Sequence, residues 1–107
     1  MGLADFGRFS EPALLVLLSL LDGDKHGYAI SEDITQVTGR RLGPGTLYGA
    51  IGRLEERGLI EARGGDGRRK PYGLTSRGEA TAAREVASLS ALAAEASRRL
   101  RWRGAPA

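Results

Sequence analysis

The stretch Gly43–Leu74, GPGTLYGAIGRLEERGLIEARGGDGRRKPYGL, decides the reading of this chain. Pro44 suits the first turn of a helix, where a missing N–H costs little, and Leu47, Ile51 and Leu54 follow at four-three spacing. Gly58 is a natural C′ residue that stops such a helix in a left-handed conformation. Two short runs, Leu59–Arg63 and Tyr72–Leu74, then read as paired strands, with Gly64, Gly65, Asp66 and Gly67 supplying the turn. The loop places Arg68, Arg69 and Lys70 at a hairpin tip, where they add nothing to a core and would suit a phosphate backbone.

The segment before it completes a pattern. A second helix is expected from about His26-Gly27-Tyr28 to Gly39, with Ile30, Ile34 and Val37 as its apolar stripe. Two short helices joined by the tight turn Arg40–Gly43 make a helix-turn-helix unit, and the strand pair adds a wing. The predicted fold is mainly α with a small β-hairpin wing: a winged helix-turn-helix followed by a long C-terminal helix. Upstream, ALLVLLSLL is apolar nearly all round and is expected to form the central buried helix. Ser10 can cap it, Pro12 sits in its opening turn, and Phe9 and Leu14 occupy hydrophobic-staple positions. Asp22-Gly23-Asp24 ends it, with turn and capping roles for the two acids favoured over cation binding.

After the wing, Ser76 with Glu79 reads as a capping box for a helix running from about Arg77 to about Trp102. Ala82, Val86, Leu89, Ala93, Ala96 and Leu100 recur along it at alternating four- and three-residue intervals. That heptad seam is longer than a small domain covers, and its alanines would let a partner helix approach closely, so homodimerisation is expected through it. The expected organisation is a loose arm over residues 1–9, a winged helix-turn-helix over 10–75, the dimerisation helix over 76–103 and a tail over 104–107.

Charge patterning agrees with a polyanionic partner. The 107-residue chain carries 16 Lys and Arg against 13 Asp and Glu, a formal +3. From Arg40 to Arg77, nine basic residues accompany four acids, giving +5, whereas the remainder holds seven basic and nine acidic residues, giving −2. A basic block in an otherwise slightly acidic chain marks a nucleic-acid footprint when it coincides with such a motif. There are no cysteines, which excludes a disulfide framework and thiolate metal sites and fits a reducing cytoplasm. The apolar run Ala13–Leu21 is too short to span a bilayer, and no signal-type segment opens the chain, so a cytoplasmic location is expected.

No nucleophile–base pair, P-loop or dinucleotide fingerprint is present, and His26, the single histidine, lacks ligand-spaced partners. Neither catalysis nor a metal or other cofactor is expected, and a structural role at a helix start suits His26. In such a fold, Thr46 and Tyr48 occupy the first turns of the recognition helix, where side chains meet base edges or phosphates. Tyr48 alternatively packs between the second and third helices; both readings stand at this stage. Arg53, two turns in, suits a phosphate contact, and Tyr28 can touch the backbone from the second helix or pack beneath it. Gly45 and Gly49 let the helix backbone approach the groove, although glycines at 49 and 52 cannot read a base edge and weaken the helix by about 1 kcal/mol each. That bare face is the best support for an alternative, a winged-helix protein–protein adaptor with little DNA binding. The wing cations speak against it. An RNA-binding module would need stacking aromatics, of which the wing offers only Tyr72.

The motifs His26-Gly27-Tyr28, Gly45-Thr46-Leu47-Tyr48, Arg53–Ile60 and Arg69–Thr75, in that order over residues 10–78, resemble the PadR family of bacterial transcriptional regulators. The resemblance implies a dimer held by the C-terminal helix and repression from a palindromic operator in double-stranded DNA. One helix after the wing makes the chain similar to the short subfamily. In many relatives a small effector, such as a phenolic acid or a drug, releases the DNA. With Trp102 placed near the very end, an aromatic effector slot between dimer helices is less well matched here than in some drug-responsive relatives.

Overall fold

A computed structural model describes residues 11–64 and 70–104. The chain runs α1 (Glu11–Ser19), a 3-10 turn (Leu20–Asp22), α2 (Gly27–Thr38), α3 (Pro44–Glu56), β1 (Ile60–Ala62), β2 (Tyr72–Leu74) and α4 (Ser76–Gly104). The expected order and types of elements are thereby found. Ser10, Phe9 and the glycine turn at 65–67, with the cap, staple and hairpin tip assigned to them, lie outside the described residues.

One core joins these elements. Val16, Leu17 and Leu20 come from the first helical segment, Ile30 and Ile34 from α2, and Leu47, Ala50, Ile51 and Leu54 from α3. Ile60, Tyr72 and Ala82 close it from the wing and α4. Each large side chain buried in this way contributes about 1.5–3 kcal/mol. Val37, expected on the apolar stripe of α2, departs from the pattern: it is 77% exposed. It stands in the last turn of α2 and flanks an open groove with Leu15, Leu18 and Ile34.

Lys25 ties off the end of α1. Its ammonium donates to the Ser19 carbonyl, one of the acceptors left open at a helix end, and to the Asp22 carboxylate. Ser19 in turn donates to Asp33 of α2 at 2.7 Å. The Lys25 contact, chiefly its hydrogen bond and then its charge, holds the Asp22 carboxyl below the usual carboxylate range. Lys25 also pairs its backbone with Tyr72 in both directions (3.0 and 2.8 Å), adding an isolated bridge alongside β2.

The strands are antiparallel, with Ile60 opposite Leu74, Glu61 opposite Gly73 and Ala62 opposite Tyr72. The stop before them is a Schellman turn: Gly58 takes φ 74°, and the Leu59 N–H reaches back to the Leu54 carbonyl at 3.0 Å. The start of α4 corrects the expected capping box. Thr75, not Ser76, is the cap: its hydroxyl accepts from the Gly78 N–H at 3.0 Å and donates to the Gly58 carbonyl at 2.6 Å. Ser76 is already helical. The cap moves back one residue because Thr75 alone can serve α4 and the α3–β1 turn together.

The seam on α4 also needs correction at its first member. Ala82 is fully buried in the protomer's own core, so it is not an open position for a partner helix. Beyond it no described residue of α4 is buried: Val86 is 43% exposed, Leu92 61% and Leu100 69%.

Candidate nucleic-acid interface

The helix-turn-helix is built by local chemistry. His26 caps α2 by accepting the Ala29 N–H at Nδ1 (3.4 Å), the structural role expected of it. Gly39 ends the helix in the left-handed region, its N–H bonded to the Thr35 carbonyl at 2.8 Å. In the turn that follows, Arg40 pairs with Glu11 of α1 (2.7 Å) and Arg41 with Glu32 of α2 (3.2 Å). Two of the nine cations of the basic block are therefore partly neutralised within the protein. α3 then begins at Pro44 with Gly43 as its cap, and no side chain bonds the first N–H groups.

The exposed surface of α3 carries the residues singled out for contact. Pro44, Gly45, Thr46 and Tyr48 are exposed in its first turns, and Arg53 is exposed two turns on. Among the described residues, none outside the local helix lies within 4 Å of where a Cβ would stand at Gly45 or Gly52, so the backbone here is open to an incoming surface. At Gly49 a Cβ would stand 3.6 Å from an Arg53 guanidinium nitrogen. Arg53 forms no ion pair among the described residues. Glu55 and Glu56 lie beside it along the same shallow surface, so the basic side chain in the last turn of α3 stands next to two acids.

The packing reading of Tyr48 is the one the structure shows. Its ring lies over Gly27, where a Cβ would fall 2.8 Å from ring carbons, while 51% of the residue stays exposed. Gly27 thus fixes how α2 and α3 meet, and Tyr48 is oriented by that contact with its hydroxyl against Gly27 and part of its ring exposed. Tyr28 is 67% exposed and stacks on His26, with ring centroids 6.5 Å apart and planes 18° apart. Tyr28, Thr46, Tyr48 and Arg53 are all exposed on the helix-turn-helix.

In the wing, Arg68 and Arg69 lie outside the described residues. Lys70 sits over the ring of Tyr72, 5.8 Å from its centroid. Tyr72 is itself buried, so the wing exposes no stacking platform through it. Burial, then the nearby Glu55 charge and Tyr48, push the Tyr72 phenol above its ordinary value. The base of the wing is therefore packed beside α3. Arg63 donates to the Leu74 carbonyl at 2.5 Å and pairs with Glu61 at 3.1 Å, which ties it to the hairpin itself. Gly73 was not among the expected site residues, yet a Cβ there would meet Arg63 Nε at 2.9 Å and the Asp24 carboxylate. A glycine inside a three-residue strand was the available signal.

Among the described residues, no group of three or more His, Cys, Asp or Glu side chains could hold a metal ion, and no helix is long and apolar enough to cross a membrane. Three helices, a hairpin and an exposed α3 define a winged helix-turn-helix of the transcription-regulator class. Residues 15–84 match the model of the transcriptional regulator PadR-like family, and the chain belongs to that family. It is 36% identical to Transcriptional regulator Rv3488 of Mycobacterium tuberculosis over 85 residues, covering 77% of this chain and 78% of that one. It is 46% identical to an uncharacterized 37.1 kDa protein in transposon TN4556 of Streptomyces fradiae over 85 residues, 79% of this chain. Only 25% of that relative's length is spanned. Its fold is similar to the crystal structure of a PadR family transcription regulator from Clostridium difficile, with TM-score 0.72, 26% identity and coverage of 83% of this chain and 97% of that one.

Proposed function

We propose that this chain is a homodimeric repressor that binds a palindromic operator in duplex DNA. The observation that carries the reading is the first half of α3: Gly45, Thr46, Tyr48 and Gly49 form an open surface on a helix that the core holds rigidly from behind. In helix-turn-helix docking the start of the second helix meets base edges, while flanking residues grip phosphates. Thr46 then faces a thymine methyl or a phosphate, Tyr28 presents its hydroxyl to the backbone, and Tyr48 offers the exposed part of its ring. Arg53 adds a phosphate contact, and Arg68, Arg69 and Lys70 of the wing follow a flanking phosphate or minor groove. The dimer forms through Val86, Leu89, Ala93, Ala96 and Leu100, the exposed or half-buried continuation of the Ala82 face. Two copies of α3 then address half-sites about one DNA turn, roughly 34 Å, apart or a multiple of it.

Repression follows if the operator overlaps a promoter, since the bound dimer occupies the polymerase's site. A small aromatic effector acts by favouring a dimer geometry whose α3 helices no longer match that spacing.

The test is a mobility-shift titration against the chain's own promoter-proximal DNA and a scrambled duplex at two salt concentrations. Preferential, dimer-stoichiometric binding that weakens steeply with salt is expected. Triple substitution of Arg68, Arg69 and Lys70 by Ala should lower affinity on both duplexes and flatten the salt slope. Absence of binding at either salt refutes the DNA reading and favours the adaptor.

A further inference from the structure

The turn between α2 and α3 carries two adjacent arginines that are held differently. Arg40 reaches back to Glu11 at 2.7 Å, toward α1, the helix that packs behind α3 in the core. Arg41 pairs instead with Glu32 of α2, through one guanidinium nitrogen at 3.2 Å. That contact is longer than the roughly 2.7–2.9 Å usual for a charged pair, and it engages only part of the guanidinium's fork of N–H donors. Both side chains keep access to water, 59% exposed for Arg41 and 39% for Glu32. An exposed pair of this kind adds little stability, so Arg41 can change partners at small cost. Leu42, the next residue, packs against the core, so the backbone carrying Arg41 is fixed while its side chain is not. Glu32 stands one helical turn after Tyr28, on the same side of α2. Tyr28 is the residue of α2 set against the DNA backbone above, and a bare carboxylate beside it would repel a phosphate.

From this arrangement we infer that Arg41 is a phosphate-binding residue held on an internal acid, and that Glu32 competes with the DNA phosphate for it. The inference rests on the DNA reading above and adds to that site one contact and a brake on it. As the duplex docks, the Arg41 guanidinium leaves a single Glu32 oxygen for a phosphate, which accepts two parallel N–H bonds. The Glu32 carboxylate then stays near the phosphate chain without its cation. Both the broken pair and the exposed carboxylate hold affinity below what the cations alone would give. A brake on a phosphate contact weakens the sequence-independent share of binding and leaves base contacts untouched, which favours one site over the many competing ones.

Anisotropy titrations of the full chain against the promoter-proximal and scrambled duplexes decide the matter. Glu32→Gln keeps the shape of the side chain and removes its charge. It should tighten binding about threefold on both duplexes, because a phosphate contact carries no sequence information. Arg41→Gln should weaken binding to both and flatten the salt slope by up to about 0.9. In the Arg41→Gln background the gain from Glu32→Gln should shrink toward none, since only the residual repulsion is left to relieve. Both side chains lie outside the core, so matching thermal melts of the variants are expected. An equal gain in the two backgrounds assigns the effect to general charge and overturns the inference. So does the absence of any gain from Glu32→Gln in a chain that binds DNA, or a gain confined to the promoter duplex. If the unsubstituted chain binds neither duplex, the DNA reading falls and this inference with it.

Discussion

Gly78 of α4 is pressed so closely against Leu59 that a Cβ at residue 78 would collide with the Leu59 carbonyl oxygen and lie 2.9 Å from its carbonyl carbon. The contact joins the first turn of α4 to the start of the wing, backbone against side-chain-free backbone. Gly78→Ala therefore forces the two elements apart despite alanine's better helix propensity. The expected cost is about 2–3 kcal/mol, typical of overpacking at a site that cannot yield, and thermal or urea unfolding measures it. An unchanged or raised midpoint would show that the junction opens without penalty.

Thr75 secures the same junction by hydrogen bonds. Thr75→Val keeps the shape but removes the acceptor for the Gly78 N–H and the donor to the Gly58 carbonyl. A loss of about 1–2 kcal/mol is expected, in the range of a helix cap plus a partly buried bond. Ser76→Ala, by contrast, should change stability by less than about 0.5 kcal/mol, because Ser76 is an exposed first-turn residue without the cap.

Gly52 separates stability from function. A Cβ there meets nothing within 4 Å, so Gly52→Ala should raise stability by up to about 1 kcal/mol through helix propensity. If the open face of α3 lies against DNA, the same methyl should reduce operator affinity. Unfolding and anisotropy titrations on one variant read both effects, and equal or better DNA binding would place Gly52 away from the duplex.

The buried phenol of Tyr72 gives an alkaline signature. Its folded-state value lies above the ordinary 10.0, so the folded chain holds that proton more tightly than the unfolded chain. The group leaves stability constant below about pH 10 and reduces it as pH rises through the folded value. Tyr72→Phe should flatten this alkaline limb in chemical unfolding followed from pH 8 upward. Parallel limbs in the two proteins would assign the loss elsewhere.

Periodicity sufficed for the helices and for most of the core. Ile30, Ile34, Leu47, Ile51 and Leu54 are buried as their four-three spacing requires, and Gly39 and Gly58 stop their helices in left-handed conformations. What pattern could not supply was the neighbour on each face. Val37 fits the stripe of α2 by spacing alone, but it stays exposed at the edge of the open groove it shares with Leu15 and Leu18. Ala82 reads as the first rung of an assembly seam, whereas α1 and the wing had already claimed it. Thr75 and Ser76 are both competent caps by composition, and only the position of the Gly58 carbonyl selects between them. On α3 the exposed residues were legible because a helix-turn-helix has an obligatory outer face. The ion pairs that draw Arg40 and Arg41 back toward α1 and α2 join residues 29 and 9 positions apart, beyond the reach of local pattern.

The burial of Ala82 also fixes an order of events. A helix is costly to start and inexpensive to extend, and the rest of α4 has no core of its own to start it. Its nucleus is the first turn, locked by Thr75 and Gly78 and anchored by Ala82; from there the alanine-rich remainder propagates outward. A chain whose winged domain has not folded therefore has no ordered surface to offer another copy. In the proposed homodimer, recognition between copies is thereby conditional on each one having first completed its own interior, which guards against pairing between half-made chains.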